Sequence, residues 1–137
     1  MSELLDNFGK SLSEFLIFFV VAAVLTILFV LIYTRTTRHN EIDLIKNNSI
    51  AASVAFSGSL IGFGLPLAST IINSVTVVEM VLWGIIALIV QVLTYLLIRL
   101  PMPRISERIE ANEVAAGIWL GSCSLVAGIL NAASMTD

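Results

Sequence analysis

Charge is scarce in this sequence: Asp, Glu, Lys and Arg make up 12% of its 137 residues, and none falls in the middle of its four long apolar runs. That absence excludes the buried acid or base through which a proton-driven pump is coupled. A single cysteine, Cys123, permits no intramolecular disulfide and supplies no zinc pattern. It lies inside an apolar run, where desolvation disfavours the thiolate, and is read as structural. The only histidine, His39, stands between Arg38 and Asn40 and near Glu41, so the default reading is a solvated loop side chain rather than a metal ligand. No metal site, no cofactor and no enzymatic activity are expected, because the sequence offers no acid, base, partnered nucleophile or metal cluster.

What the chain has in excess is hydrocarbon, with 58% hydrophobic residues. Spanning a bilayer takes roughly 20 mostly apolar residues in a helix, and residues 15–33, 50–72, 80–98 and 114–133 qualify. The lipid bilayer is therefore the expected surrounding, with residues 1–137 forming a single membrane domain. The net charge of −3 is spread over short connections and tails and implies no nucleic-acid binding. The first run is read as a retained helix rather than a secretory signal, since only Lys10 stands among Glu3, Asp6 and Glu14 before it and no small-residue cleavage site follows. Ser11-Leu12-Ser13-Glu14 fits a capping box at its start. Leu4, Leu5, Phe8 and Leu12 recur at helical spacing, so residues 1–14 are expected to form a short interfacial segment.

The chain also reads as one hairpin written twice. Arg35/Arg99, Ile45/Ile109, Asn48/Asn112, Ala51/Ala115, Ala52/Ala116, Gly64/Gly128 and Ala68/Ala132 are identical at a single offset of 64 residues. The expected fold is an all-α integral membrane protein of four transmembrane helices, formed by two parallel tandem helical-hairpin repeats, 15–72 and 79–134. Two hairpins with an even number of spans insert in the same orientation, related by an axis along the membrane normal. Six of the seven basic residues lie in the connections after the first and third spans. The positive-inside rule then places both connections in the cytoplasm and both termini outside it.

The second and fourth spans are rich in small residues. At about 100° per residue, Ser53, Ser57 and Gly64 fall on one face and their repeat equivalents Gly117, Gly121 and Gly128 on the corresponding face. Gly58 and Gly62 add a second close-approach surface roughly 100° round. These eight residues are the candidate helix-packing or pore-lining set, with spans two and four inside, spans one and three outside, and a homo-oligomer the expected assembly. Pro66 is expected to free a backbone carbonyl that could meet a passing cation.

Arg35, Arg38 and Lys46 in the first basic connection are offset by Glu41 and Asp43; Arg99, Arg104 and Arg108 in the second by Glu107, Glu110 and Glu113. Mixed charge argues against a polybasic lipid site and leaves Arg35, Arg38, Arg99, Arg104 and Arg108 as a candidate surface for a cytoplasmic protein partner. Ile42 and Ile45, and again Ile105 and Ile109, predict a short surface helix in each connection. Asn48 and Asn112 stand at the entries to spans two and four, where capping is the default role.

Asn48-Ser49-Ile50-Ala51-Ala52 followed by Ser57-Gly58-Ser59-Leu60-Ile61-Gly62, echoed by Asn112-Glu113-Val114-Ala115-Ala116 and Gly121, resembles the duplicated membrane repeat of the YjfL-like family of bacterial inner-membrane proteins. The resemblance covers essentially the whole chain. It departs in the second copy, where Ser122 replaces Gly58 and Val126 replaces Gly62. It implies residence in the bacterial inner membrane and a link to membrane maintenance under envelope stress. The family is one of unknown biochemical function, so it brings no catalytic residues. Two readings follow from the residues: a non-enzymatic oligomeric scaffold that recruits a cytoplasmic partner, and an oligomeric channel or small-solute pore lined by the small faces.

Overall fold

The computed structural model describes residues 1–74 and 76–135, and every regular element among them is helical. In chain order these are α1 (Ser2–Thr36), α2 (Glu41–Lys46), α3 (Ile50–Asn73), α4 (Val77–Arg99), α5 (Ile105–Glu110) and α6 (Val114–Ser134). Four of them, α1, α3, α4 and α6, are long and apolar enough to cross a membrane. The two six-residue helices occupy the basic connections.

Side-chain caps mark where several of these helices start. Asn40 accepts from the Asp43 amide at α2, Ser49 from the Ala52 amide at α3, and Thr76 from the Glu79 amide at α4, each satisfying a donor the first helical turn leaves open. Asn48 and Asn112 precede α3 and α6 with φ of 66° and 60°, a left-handed conformation that asparagine tolerates better than most residues. Ser49 and Glu113 occupy the N-cap positions instead, so the expected local capping by the two asparagines is corrected. The starts of α2 and α5 lie 64 residues apart, as do those of α3 and α6.

The α3–α6 contact is the most extensive in the molecule; α4 packs against both, and α1 rests on α4 and the edge of α3. Phe29, Tyr33, Phe63, Met80, Ala87 and Leu120 fill the centre. Phe29 stacks on Phe63 with ring centroids 4.6 Å apart, fixing α1 against α3. Of the four long helices α3 is the most enclosed and α1 the least.

One expectation fails at the start of the chain. α1 is continuous from Ser2, with no break before residue 15. The Ser11–Glu14 capping box does not form, because a box needs non-helical residues before it; Ser13 Oγ instead donates to the Gly9 carbonyl within the helix at 3.0 Å.

Candidate functional site

The small residues are used for contact between backbones. A Cβ on Gly58 would meet the Gly121 backbone, one on Gly62 the Ser124 carbonyl, one on Gly117 the Ala51 backbone, and one on Gly128 the Gly62 backbone. On Gly121 it would lie 2.6 Å from the Val54 carbonyl oxygen. Lipid provides no hydrophobic drive for helix association, so dispersion across such close approaches carries it. The two helices do not meet through equivalent faces. α6 presents Gly117, Gly121 and Gly128, whereas α3 presents Ala51, Ala55, Gly58 and Gly62. Ser53 is only half-buried, Ser57 and Gly64 are exposed, and Gly64 has no neighbouring atom within 4 Å of a built Cβ. Both α3 faces are small, but glycines at 58 and 62 admit the α6 backbone more closely than serine side chains would.

Pro66, buried within α3, lacks the N–H that would bond the Gly62 carbonyl. That carbonyl oxygen stands where a side chain on Gly128 would be. It is therefore covered by α6 and not open to a passing cation; a Cα–H contact of this kind recurs at helix interfaces.

At the end of the bundle that carries the basic connections lies a cluster of polar side chains shut away from solvent. His39 is 1% exposed and Glu41 0%, which overturns the reading of His39 as a solvated loop residue. In the bent connection between α1 and α2 and the first residue of α2, Thr37, His39 and Glu41 are buried while Arg38 and Asn40 are exposed.

One donor order satisfies most of its atoms. The Arg38 amide donates to Tyr95 Oη at 3.2 Å, Tyr95 to Ser106 Oγ at 2.5 Å, and Ser106 to His39 Nδ1 at 2.9 Å. His39 Nε2 then faces Glu41 Oε1 at 3.2 Å, which also accepts from Thr37 Oγ1 at 2.6 Å. Glu41 Oε2 has no partner among the described residues. The row Ser106, His39, Glu41 has the order of a nucleophile, a base and an orienting acid, but Ser106 is 4% exposed and its oxygen is enclosed by Tyr95 and His39. An attacking oxygen needs room for the carbon it attacks. The cluster joins the two connections.

Deeper in the bundle, Ser59 Oγ lies 2.8 Å from Tyr33 Oη and 3.2 Å from Ser124 Oγ, and Gln91 Nε2 donates to the Ser124 carbonyl at 3.0 Å. These bonds tie α1, α3, α4 and α6 together. They pass unseen in the sequence because serine and tyrosine in a span have many local uses.

Of the five arginines, Arg38 and Arg99 touch the cluster through Tyr95. Arg35, Arg38 and Arg104 are exposed, and Arg99 and Arg108 half-buried. Arg99 stands 5.8 Å from the centre of the Tyr95 ring; Arg104 pairs with Glu107 at 3.3 Å and Arg108 with Glu113 at 3.2 Å. Asn112 bridges the two halves: its Oδ1 accepts from the Ala51 amide of α3 at 3.0 Å, with Ser49 Oγ at 3.4 Å. It thus caps the helix of the other half of the chain, while the Asn48 side chain is exposed.

Comparison with known proteins shows this chain to be similar to membrane proteins. The profile of a family described as Domain of Unknown Function (DUF350) matches residues 4–135. The UPF0719 inner membrane protein YjfL of Escherichia coli (strain K12) is 46% identical over 126 residues, covering 92% of this chain and 96% of that protein. The UPF0719 transmembrane protein YshE of Bacillus subtilis (strain 168) is 23% identical over 114 residues, covering 82% of this chain and 85% of that protein. No solved structure matches.

Proposed function

The chain belongs to the DUF350 family, whose relatives are inner-membrane proteins, and from that premise we propose that it is a non-enzymatic, oligomeric membrane scaffold which recruits a cytoplasmic partner through its two basic connections. The observation that carries this reading is the hydrogen bond from Ser106 to His39, 67 residues apart. It makes one rigid surface of two loops, and a preorganised surface loses little entropy when a partner docks. Arg35 and Arg38 stand exposed on that surface and make no ion pair among the described residues. The partner such a surface suits is an acidic protein face.

The orientation belongs to the same reading: basic connections in the cytoplasm, both termini outside, as the excess of Lys and Arg favours. So does an architecture of two parallel hairpins, supported by the equal spacing of α2 to α5 and α3 to α6. The test is a pull-down from membranes with Arg38→Glu and Arg104→Glu. Loss of a captured partner with insertion intact supports the scaffold; unchanged recovery defeats it.

A second reading has its own observation. Half-buried Ser53 and exposed Ser57 and Gly64 lie outside the Gly58–Gly62 surface that meets α6, a small, polar stripe that suits the wall of a pore assembled from several copies. Proteoliposome flux that Ser57→Leu abolishes would favour it over the scaffold. Gly58, Gly62, Gly117, Gly121 and Gly128 take no part in such a wall, being closed backbone against backbone.

A further inference from the structure

α1 is longer than the bundle needs. Its 35 residues extend about 52 Å at 1.5 Å per residue, against a hydrocarbon thickness of about 30 Å. α3, α4 and α6 have 24, 23 and 21 residues, and α1 outruns them by about three turns at the end opposite the basic connections. Every residue from Met1 to Ile17 is exposed, and burial begins with the half-buried Phe18.

The projecting part is two-sided. At about 100° per residue, Leu4, Leu5, Phe8, Leu12 and Phe15 lie on one side and Glu3, Asp6, Lys10 and Glu14 on the other. Leu5, Phe8, Leu12, Phe15 and Phe19 follow one another at steps of three and four, the spacing of a coiled-coil seam. They are 62%, 64%, 45%, 57% and 61% exposed, and the chain's own bundle leaves them uncovered.

We propose that this seam pairs with the same seam of a second copy. A bilayer holds two copies in one orientation and at one height, so identical helices meet parallel and in register, which is how a 3.5-residue repeat matches itself. At roughly 100 Å² of exposed surface per seam residue, each copy contributes about 500 Å² and the pair about 1,000 Å², the lower bound for a specific interface. The acids lie on the far side of the helix, so pairing brings no like charges together. The same acids, three against Lys10, oppose docking of this helix onto anionic headgroups. At the foot of the seam an open, mostly apolar groove between α1 and α3 is lined by Phe15, Phe18, Phe19 and Ile71, with Ser11 and Glu14 at its edge.

This deepens the oligomer part of the scaffold reading and stands apart from its partner. The test is oxidative cross-linking of the full-length protein in membranes, in a Cys123→Ala background. Leu5→Cys, Phe8→Cys and Leu12→Cys are expected to give disulfide dimers at least tenfold above Asp6→Cys, Lys10→Cys and Ser13→Cys. A second measurement is particle mass in native nanodiscs, where Phe8→Glu is expected to convert dimer to monomer without lowering bundle stability. Equal yields at all six positions, no dimer at any, or an adduct of another mass would overturn the pairing. Arg38→Glu and Arg104→Glu leave the cross-link unchanged, so failure at the connections is distinguishable from failure at the seam.

Discussion

His39 Nδ1 and Ser106 Oγ, on connections 67 residues apart, share a hydrogen bond of 2.9 Å in a region almost closed to solvent. Removing the hydroxyl strands the imidazole nitrogen and takes one of two partners from the Tyr95 hydroxyl, which keeps only the Arg38 amide. A buried polar group left unpaired costs about 1–3 kcal/mol. Ser106→Ala is expected to lower the unfolding free energy by at least that much, measured by denaturant titration in mixed micelles. Ser122→Ala, which removes an exposed hydroxyl, is the control and is expected to leave it unchanged. A Ser106→Ala protein as stable as its parent would mean the two connections are held together by something else.

The α3–α6 seam makes opposite demands on glycines a few residues apart. Gly58→Ala and Gly128→Ala put a methyl into a facing backbone, which cannot rotate away as a side chain could, so the helices must part. Overpacking of this kind costs about 1–3 kcal/mol. Gly64→Ala meets open space and is expected to be neutral or to gain up to about 1 kcal/mol from lost unfolded-chain freedom. Resistance to dissociation and unfolding in rising SDS reads all three. Equal damage at 64 and 128 would place α6 on the other face of α3.

Asn112 combines two roles that substitutions can separate. Asn112→Gly keeps the left-handed backbone but loses the cap on the Ala51 amide, a loss of about 0.5–2 kcal/mol. Asn112→Ala loses the cap and adds the left-handed penalty, about 1–2 kcal/mol more. Asn48→Gly, at an exposed side chain with φ of 66°, is expected to change little. The ranking of the three melting midpoints, with Asn112→Ala lowest and Asn48→Gly highest, is the check.

How far the fold can be read in advance depends on what each residue pattern constrains. Four spans and two short connecting helices follow from length and hydropathy, because hydrocarbon thickness leaves few alternatives. Which face of α3 meets α6 does not follow. Ser57 and Gly58 are neighbours in sequence, each belongs to a stripe of small residues, and only the partner helix decides between them. The buried cluster was concealed for a different reason: His39 and Glu41 are residue types usually found in water, and what encloses them is Ser106 and Tyr95 from the other half of the chain. Asn112 is the same case, a local-looking cap whose acceptor serves a distant helix.

Gln91 separates a structural bundle from one with a polar task at its centre. The side chain is 0% exposed, its Nε2 donates to the Ser124 carbonyl at 3.0 Å, and its Oε1 has no partner among the described residues. Hydrogen bonds between membrane helices average about 0.6 kcal/mol, and relieving an unpaired buried oxygen offsets part of even that. Gln91→Met keeps the length and removes both polar atoms, so it is expected to shift the unfolding free energy by less than about 1 kcal/mol and to leave partner capture intact. A loss well beyond that would show that Oε1 has a partner in the membrane-embedded protein. A stable Gln91→Met protein that lost proteoliposome flux would instead place a passage inside the bundle rather than between copies, because Gln91 is enclosed there and a packing residue has no means of affecting passage once the fold is preserved.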